Sequence, residues 1–379
     1  MRVEQSKWIQ GRNWLPAPPG VLGKSAQLVL VFGATPILRQ QDLIEQVRLA
    51  YPAAAILGCS TAGEICETQV SDDSLVTTAV SFEQTELRGG VVRLDQVGNS
   101  FKAGEFLAQL LDPLGLIHVL VLSDGLSVNG SDLVAGFKKY LPPSVTVTGG
   151  LAGDGNRFKE TLVLWDNVAR KDTIAAVGFY GTRLKVGYGS MGGWDPFGPE
   201  RLITRSKGNI LYELDGRSAL ELHKKYLGEH AKGLPATGLL FPLSLRTRSG
   251  KTGVVRTILA VNEEDQSMTF AGDVPEGSYA RLMKANFDRL IDGATGAAQT
   301  SYQAIGSVSP DLAILISCVG RKLVLKQRVE EEVEGVQDIF GDLTRLSGFY
   351  SYGEISPFMS GADCELHNQT MTITTFLEL

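Results

Sequence analysis

Continuous apolar runs and helically spaced apolar residues alternate along much of this chain. Val29-Leu30-Val31-Phe32, Val119-Leu120-Val121-Leu122 and Ala313-Ile314-Leu315-Ile316 are short, rich in Val, Ile and Leu, and bounded by turn residues. Such runs predict strands buried on both faces. After each run the spacing becomes helical. Leu43, Ile44 and Val47 share one face, as do Leu133, Val134, Phe137 and Leu141. Val329, Val333, Val336 and Phe340 form a third stripe. Asp42 and Ser131 are the predicted N-terminal caps, and Pro52 and Pro142 stop the first two helices.

A turn sequence then recurs three times. Gly58-Cys59-Ser60-Thr61-Ala62-Gly63-Glu64 is the first copy, Thr148-Gly149-Gly150-Leu151-Ala152-Gly153-Asp154 the second, and Gly348-Phe349-Tyr350-Ser351-Tyr352-Gly353-Glu354 the third. Each ends in Gly-acid and leads to a further apolar run: Leu75 to Phe82, Thr173 to Tyr180, Thr370 to Leu377. The first two units align at a constant offset of 90 residues, which sets Gly63-Glu64 on Gly153-Asp154 without a gap. The third unit needs about six extra residues before its turn. Each unit reads strand, helix, strand, glycine turn, strand. The predicted fold is a mixed α/β (α+β) protein of two related halves, with mixed sheets flanked by helices and the glycine turns lining a shared pocket.

Between the halves, Gly187 to Pro199 is dense in Gly and Pro and reads as a crossover. Beyond it, Leu211 to Leu227 and Ser278 to Asp292 read as helices, and Val254 to Val261 and Met268 to Ala271 as strands. The predicted boundaries are an N-terminal extension over 1–24, a domain over 25–200 and a domain over 201–379.

Composition narrows the class. The net charge of −6 on 379 residues favours neither nucleic acid nor an anionic membrane surface. No apolar run approaches the roughly 20 residues that span a bilayer. Met1 to Gln10 is polar and unlike a secretory signal, so a cytoplasmic location is expected. The four cysteines show no CxxC pair and are expected to be reduced thiols.

Five motifs in order resemble the FIST sensory domain: Gly58 to Ile65, Thr148 to Asp154, Cys318-Val319-Gly320-Arg321, Gly348 to Ile355, and Leu366-His367-Asn368-Gln369-Thr370. The resemblance runs from about residue 25 to the C-terminus, through the family's N-terminal and C-terminal parts. It implies a ligand-binding input module of bacterial signal transduction. Its partners would be a small-molecule ligand and a separate histidine kinase or cyclic-di-GMP enzyme. A stand-alone subgroup of similar length implies haem as cofactor and nitric oxide as signal. Two further functions stay open: a haem-free sensor of an amino-acid-like metabolite, and a cysteine-dependent enzyme.

Haem needs an axial ligand and an apolar pocket. No Cys-x-x-Cys-His is present, so covalent attachment is not expected. His367, just before the final strand, is the first candidate for the metal. His223 on a helix follows, ahead of His118 and His230. The remaining cofactor-binding candidates are Cys59, Cys318, Tyr350 and Tyr352, the tyrosines as stacking surfaces. For an organic ligand the candidates are Gly63, Glu64, Gly149, Gly150, Gly153, Asp154, Arg321, Gly353, Glu354 and Asn368. Consecutive backbone N–H groups at Gly149 to Gly153 could hold an anion, and the acids after the turns an amino group. The alternatives are tight turns for the glycines, capping for the acids, core packing for the thiols and a surface ion pair for Arg321.

Overall fold

The structure is a computed structural model that describes residues 1–246, 252–358 and 361–379. It is mixed α+β, as the apolar pattern predicts, and its sheets follow the three repeated units rather than two halves. In each unit a central strand runs parallel to the strand after its helix and antiparallel to a long third strand. In unit one Leu28–Gly33 lies between Ala55–Ser60 and Ser74–Ser81. In unit two Leu116–Ser123 lies between Thr146–Leu151 and Thr173–Tyr180. In unit three Leu312–Cys318 lies between Arg345–Ser351 and Met371–Glu378. The predicted final strands are therefore present within a residue or so.

On the side of the long strand each sheet continues with one strand of eight residues, Arg2–Ile9, Glu86–Arg93 and Leu184–Met191, and in the first sheet the short Asn13–Leu15 pairs beyond it. The N-terminal extension thus belongs to the first sheet, where Arg2–Ile9 pairs with Ser74–Ser81 along its whole length. An edge strand needs no continuous apolar run, so the polar start of the chain gives no sign of it.

The opposite edge of each sheet comes from a different unit. After the first glycine turn, the hairpin Glu64–Cys66 and Gln69–Ser71 adds to Arg345–Ser351 of unit three. After the third turn, Gly353–Pro357 and Cys364–His367 add to Thr146–Leu151 of unit two. After the second, Val163–Trp165 and Val168–Arg170 add to Ala55–Ser60 of unit one. The exchange closes on itself.

Alternation along the central strands sorts their side chains between two environments. Leu28, Leu30, Phe32, Leu120, Leu122, Ile314 and Ile316 meet in one cluster shared by all three sheets. Phe32 and Phe349 lie 4.8 Å apart there, and Phe179 and Phe376 5.1 Å. Val29 and Val31 point the other way, onto Leu43, Ile44 and Val47 of helix Gln41–Ala50. Val119, Val121, Ala313 and Leu315 likewise pack with residues of Gly130–Tyr140 and Val329–Phe340. Asn129, rather than Ser131, caps the second helix, accepting from the N–H groups of Ser131 and Asp132. Asp42 lies inside the first helix, which has no side-chain cap.

Unit three carries an insertion between Leu184–Met191 and helix Phe287–Ala304. It is a separate sheet, in which Trp194–Lys207 pairs with Tyr279–Ala285 and with Ile210–Leu214, and helix Ala219–Leu227 lies against it. Two expected helices are corrected here. Left-handed Asp215 and Gly216 break Leu211 to Leu227, so its first part is strand and only Ala219–Leu227 is helical. Ser278 to Asp292 is likewise strand as far as Ala285, and a helix starts at Phe287 behind the Asn286 cap. The Gly-rich segment is mostly strand, the end of edge strand Leu184–Met191 and the start of Trp194–Lys207. A Cβ at Gly187 or Gly189 would overlap the Ser301 or Ala297 carbonyl oxygen, so these glycines let helix Phe287–Ala304 settle on the sheet.

Gly58, Gly149 and Gly348 occupy one position in the three units, opposite Val31, Val121 and Leu315. A Cβ at each would overlap the carbonyl oxygen of that partner. Gly149→Ala is expected to cost about 2–3 kcal/mol. Urea unfolding checks this through a lower midpoint at unchanged slope. A loss within about 0.5 kcal/mol would mean that the strands can separate to admit the methyl group.

Candidate functional site

The chain leaves one sheet for the next at the glycine turns, so the turns meet. Gly153 N–H donates to Ser60 O at 2.9 Å, Ala62 N–H to Tyr350 O at 2.8 Å, and Tyr352 N–H to Leu151 O at 3.1 Å. Beside this junction opens a cleft of about 1220 Å³, counting its mouth. Thr61, Gly63 and Glu64 of turn one and Asp154 of turn two line it, and the opposite wall is Val319, Lys322, Leu323 and Lys326. These last four fall on one face of the short helix Val319–Leu325 and its exit.

The cleft carries both charges. Lys322 Nζ donates to Ala62 O at 2.9 Å and pairs with Asp72. Arg157 lies 3.9 Å from Asp154. Asp73 and Lys326 stand at the rim. Glu64, on the floor, is almost wholly buried. It accepts from the Thr61 hydroxyl and from Ser74 N–H and O–H at 3.1 and 2.7 Å. Burial pushes its carboxyl up to about 7 against those bonds, so it can gain or release a proton near neutral pH. Asp154 accepts from Phe158, Lys159 and Glu160 N–H, each at 2.9 Å, and from the Tyr352 hydroxyl.

The ungapped match of Gly153-Asp154 to Gly63-Glu64 is not the structural one. Glu64 pairs with Phe349, Glu354 with Gly150, and Val163 with Cys59. The residue of unit two equivalent to Glu64 is therefore Val163, and the segment 155–162 intervenes.

The remaining candidates lie elsewhere. Glu354 is fully buried at the third turn, bonded to the Ser351 hydroxyl and to Thr370 N–H and O–H, as Glu64 is to its own partners. Gly149, Gly150, Gly153 and Gly353 serve close packing of strands and turns. Arg321 is no surface residue. Its Nε and Nη2 donate to Glu332 at 3.0 and 2.7 Å, and it also donates to the Gly192 and Leu290 carbonyls. The Tyr350 hydroxyl donates to the same Glu332 at 2.7 Å. The ring of Tyr352 stacks on Phe158 at 4.6 Å, so that face is taken. Asn368 bonds the backbone of Tyr352 and Thr257, and so ties the third turn to the inserted sheet. Cys59 and Cys318 are wholly buried, and burial pushes both thiols up, which is the wrong direction for a nucleophile.

The haem candidates do not fit as placed. His367 is buried with Nε2 on the Ser356 carbonyl at 2.8 Å and Phe358 against its ring, and it does not line the cleft. His118 spends both nitrogens on Thr146 and Thr148 in the shared core. His230 lies in a 3₁₀ turn. His223 does face a cavity, but one of about 20 Å³, room for about one water and far too small for a porphyrin. Among the described residues, no group of three or more His, Cys, Asp or Glu is placed to hold a metal ion.

Residues 27–217 match the FIST N domain and residues 219–357 the FIST C domain. The chain belongs to the FIST family. FIST domains are sensory domains of signal transduction that bind small ligands. An uncharacterized protein of Methanocaldococcus jannaschii is 25% identical over 226 residues, 56% of this FIST chain and 41% of that protein, so the match spans less than half of the relative. A cyanuric acid hydrolase from A. caulinodans superposes over 99% of both chains at 7% identity, with a TM-score of 0.37, too low to carry an argument. No helix among the described residues is long and apolar enough to cross a membrane.

Of the cleft's basic residues, sequence reasoning passes over Arg157 and, on the opposite wall, Lys322. It directly follows the Cys318 to Arg321 motif, and its spacing from Val319 and Leu323 was the available signal. Asp72-Asp73, an acidic pair just past the exchanged hairpin, was the other.

The buried acids make a pH prediction. Burial raises Glu64 to about 7 and Glu354 to about 8 from an ordinary 4.5, so the folded chain keeps protons that the unfolded chain releases. Their contribution to stability is fully present below about pH 4.5. It declines as pH rises through 7 and 8 and then levels off. Glu354→Gln should flatten this decline by on the order of 3 kcal/mol. Urea unfolding between pH 4.5 and 8.5 reads it, and parallel profiles for variant and parent would refute it.

Proposed function

We propose that this FIST protein is a haem-free sensor whose ligand is a small zwitterion of the amino-acid type, bound in the cleft at the turn junction. One observation carries the proposal: both signs of charge line a single cleft against a buried acid. Lys322 and Arg157 suit a carboxylate, and Glu64 and Asp154 an ammonium group. Their present partners, Asp72 and the Ala62 carbonyl, are ones that a ligand carboxylate could replace at Lys322. An ammonium beside Glu64 would favour its ionised form.

A sensor must also report occupancy, which requires the ligand to bind one conformation better than another. Helix Val319–Leu325 is the element suited to this. Val319, Lys322 and Leu323 face the cleft, while Val324 and Leu325 pack with Trp194 and Met283 of the inserted sheet. Occupancy would bias this helix and, through it, the inserted sheet, whose outer surface would meet a separate signalling protein such as a histidine kinase or a cyclic-di-GMP enzyme.

Isothermal titration with the twenty amino acids tests the ligand class. At least one should bind with a Kd in the micromolar range, and Lys322→Ala should weaken it about 10–100-fold, roughly 1.4–2.8 kcal/mol. Hemin serves as the contrasting probe. A stoichiometric Soret shift with no amino-acid heat would replace this proposal with the haem one.

A further inference from the structure

A groove of about 320 Å³ opens where the sheets of units one and two meet, between edge strand Glu86–Arg93 and the hairpin of Val163–Trp165 and Val168–Arg170. It shares no lining residue with the turn-junction cleft. Trp165 bridges its two walls. A Cβ at Gly89 would come within 2.7 Å of Cη2 of Trp165, so the indole lies directly on the edge strand, and it also packs on the core shared by the three sheets. Residues two apart on a strand share a face, so Gly89, Val91 and Arg93 succeed one another on the side of the indole. On the hairpin Trp165 pairs with Val168 and Val163 with Arg170, which sets Val168 and Arg170 on the face of Trp165. Both walls therefore read Val, then Arg. The arginines come to one end of the groove, because Arg93 lies opposite Thr173 and Arg170 is joined to Thr173 by Lys171-Asp172 alone.

We propose that this groove is a second ligand site, for a small organic anion whose flat or apolar body lies on Trp165 between Val91 and Val168 and whose carboxylate or phosphate is held by Arg93 and Arg170. The charges select an anion. Arg170 has no ion-pair partner among the described residues. Arg93 pairs with Asp95, and both are exposed. Exposed pairs contribute little, so an incoming acid group can take the place of Asp95. Among the described residues the one acid lining the groove is Asp166, and its Oδ1 already accepts from Arg48 Nη2 at 2.8 Å. That leaves the groove positive on a chain whose net charge is −6. A guanidinium fork matches carboxylate and phosphate alike. The other end selects the body. Val91 and Val168 are exposed beside the indole, a surface that suits an aromatic ring. The volume stands at the lower end of the roughly 300–1,000 Å³ of ligand pockets, which suits a single ring.

The test reads this groove alone and does not depend on the ligand proposed for the cleft. The chain has four tryptophans, so ¹⁵N-labelled indole spectra can be assigned by substitution. Phenylacetate and phenyl phosphate are the probes. At least one, added to the intact protein, should move the Trp165 resonance saturably and leave Trp8, Trp14 and Trp194 in place, and the tighter of the two identifies the acid group. Benzyl alcohol and benzylamine, of similar shape without the negative charge, should bind at least about tenfold more weakly. Acetate and inorganic phosphate, which have no body to lie on Trp165, should do likewise. Arg170→Gln and Arg93→Gln, both at exposed positions, should each reduce the preference for the anion. No movement with either probe at about 10 mM, tenfold above a weak Kd of about 1 mM, overturns the site. Equal binding of benzyl alcohol, or an unchanged preference in both arginine variants, overturns the role of the arginines. Equal binding of acetate or inorganic phosphate overturns the role of Trp165.

Discussion

No sheet of this protein's three-unit body is completed by its own unit. Each glycine turn sends the chain out of one sheet and onto the edge of another, and the circuit closes after three steps. A sheet edge left unpaired exposes backbone donors and acceptors, so each unit covers a neighbour's edge and has its own covered in turn. Two buried glutamates stand where the chain changes sheet. Glu64 begins a strand in the sheet of unit three, yet its carboxylate holds Ser74 at the start of unit one's long strand. Glu354 begins a strand in the sheet of unit two and holds Thr370, next to unit three's long strand. A carboxylate that accepts from both N–H and O–H of one residue fixes the angle at which the two sheets part. Burying it raises its pKa, and that is the cost of pinning the junction from inside.

The candidate site arises where this repetition fails. In units one and three the acid directly follows the turn glycine and faces inward. In unit two the segment 155–162 intervenes, Val163 takes the strand position, and Asp154 turns to bind the backbone of that segment. The displaced loop brings Asn156 and Arg157 to one side of turn one. Lys322 of unit three closes the other side. The repeat supplies Glu64 to the cleft, and the departures from it add Arg157 and Lys322.

The same distinction governs what could be read from the sequence. Strands buried on both faces and helices with one apolar stripe have strong patterns, so the nine main strands and helices of the three units were legible, along with the turns. Edge strands and the inserted sheet were not. Arg2–Ile9 is half-buried and polar, and Tyr279–Ala285 has no continuous apolar run, so neither differs much from loop or helix in the sequence. Gly63, Glu64 and Asp154 were legible as pocket residues because glycine and a following acid are distinctive. Arg321 was misplaced because sequence cannot show that Glu332, eleven residues on, returns to meet it. A charge in a motif reads alike whether it faces a ligand or a buried partner.

That buried pair constrains how the cleft can signal. Arg321 and Glu332 are wholly inaccessible, and the pair is bonded on both sides, by the Leu290 and Gly192 carbonyls and by the Ser317 and Tyr350 hydroxyls. Separating such a pair leaves an uncompensated charge and costs about 3–5 kcal/mol, more than the roughly 1–3 kcal/mol of a typical coupling between sites. Ligand binding at Lys322 therefore cannot pull helix Val319–Leu325 away from helix Val329–Phe340 within an ordinary allosteric range. The two helices must move as one body, pivoting on the parallel strands that precede and follow them. The groups free to break are the ones outside the pair: Lys322 with Asp72, and Val324 and Leu325 against the inserted sheet. Exposed ion pairs of the first kind contribute little. Under the proposed function the energetic step of a response would thus lie at the apolar contact with the inserted sheet, and the output of the cleft would be on that side of the molecule.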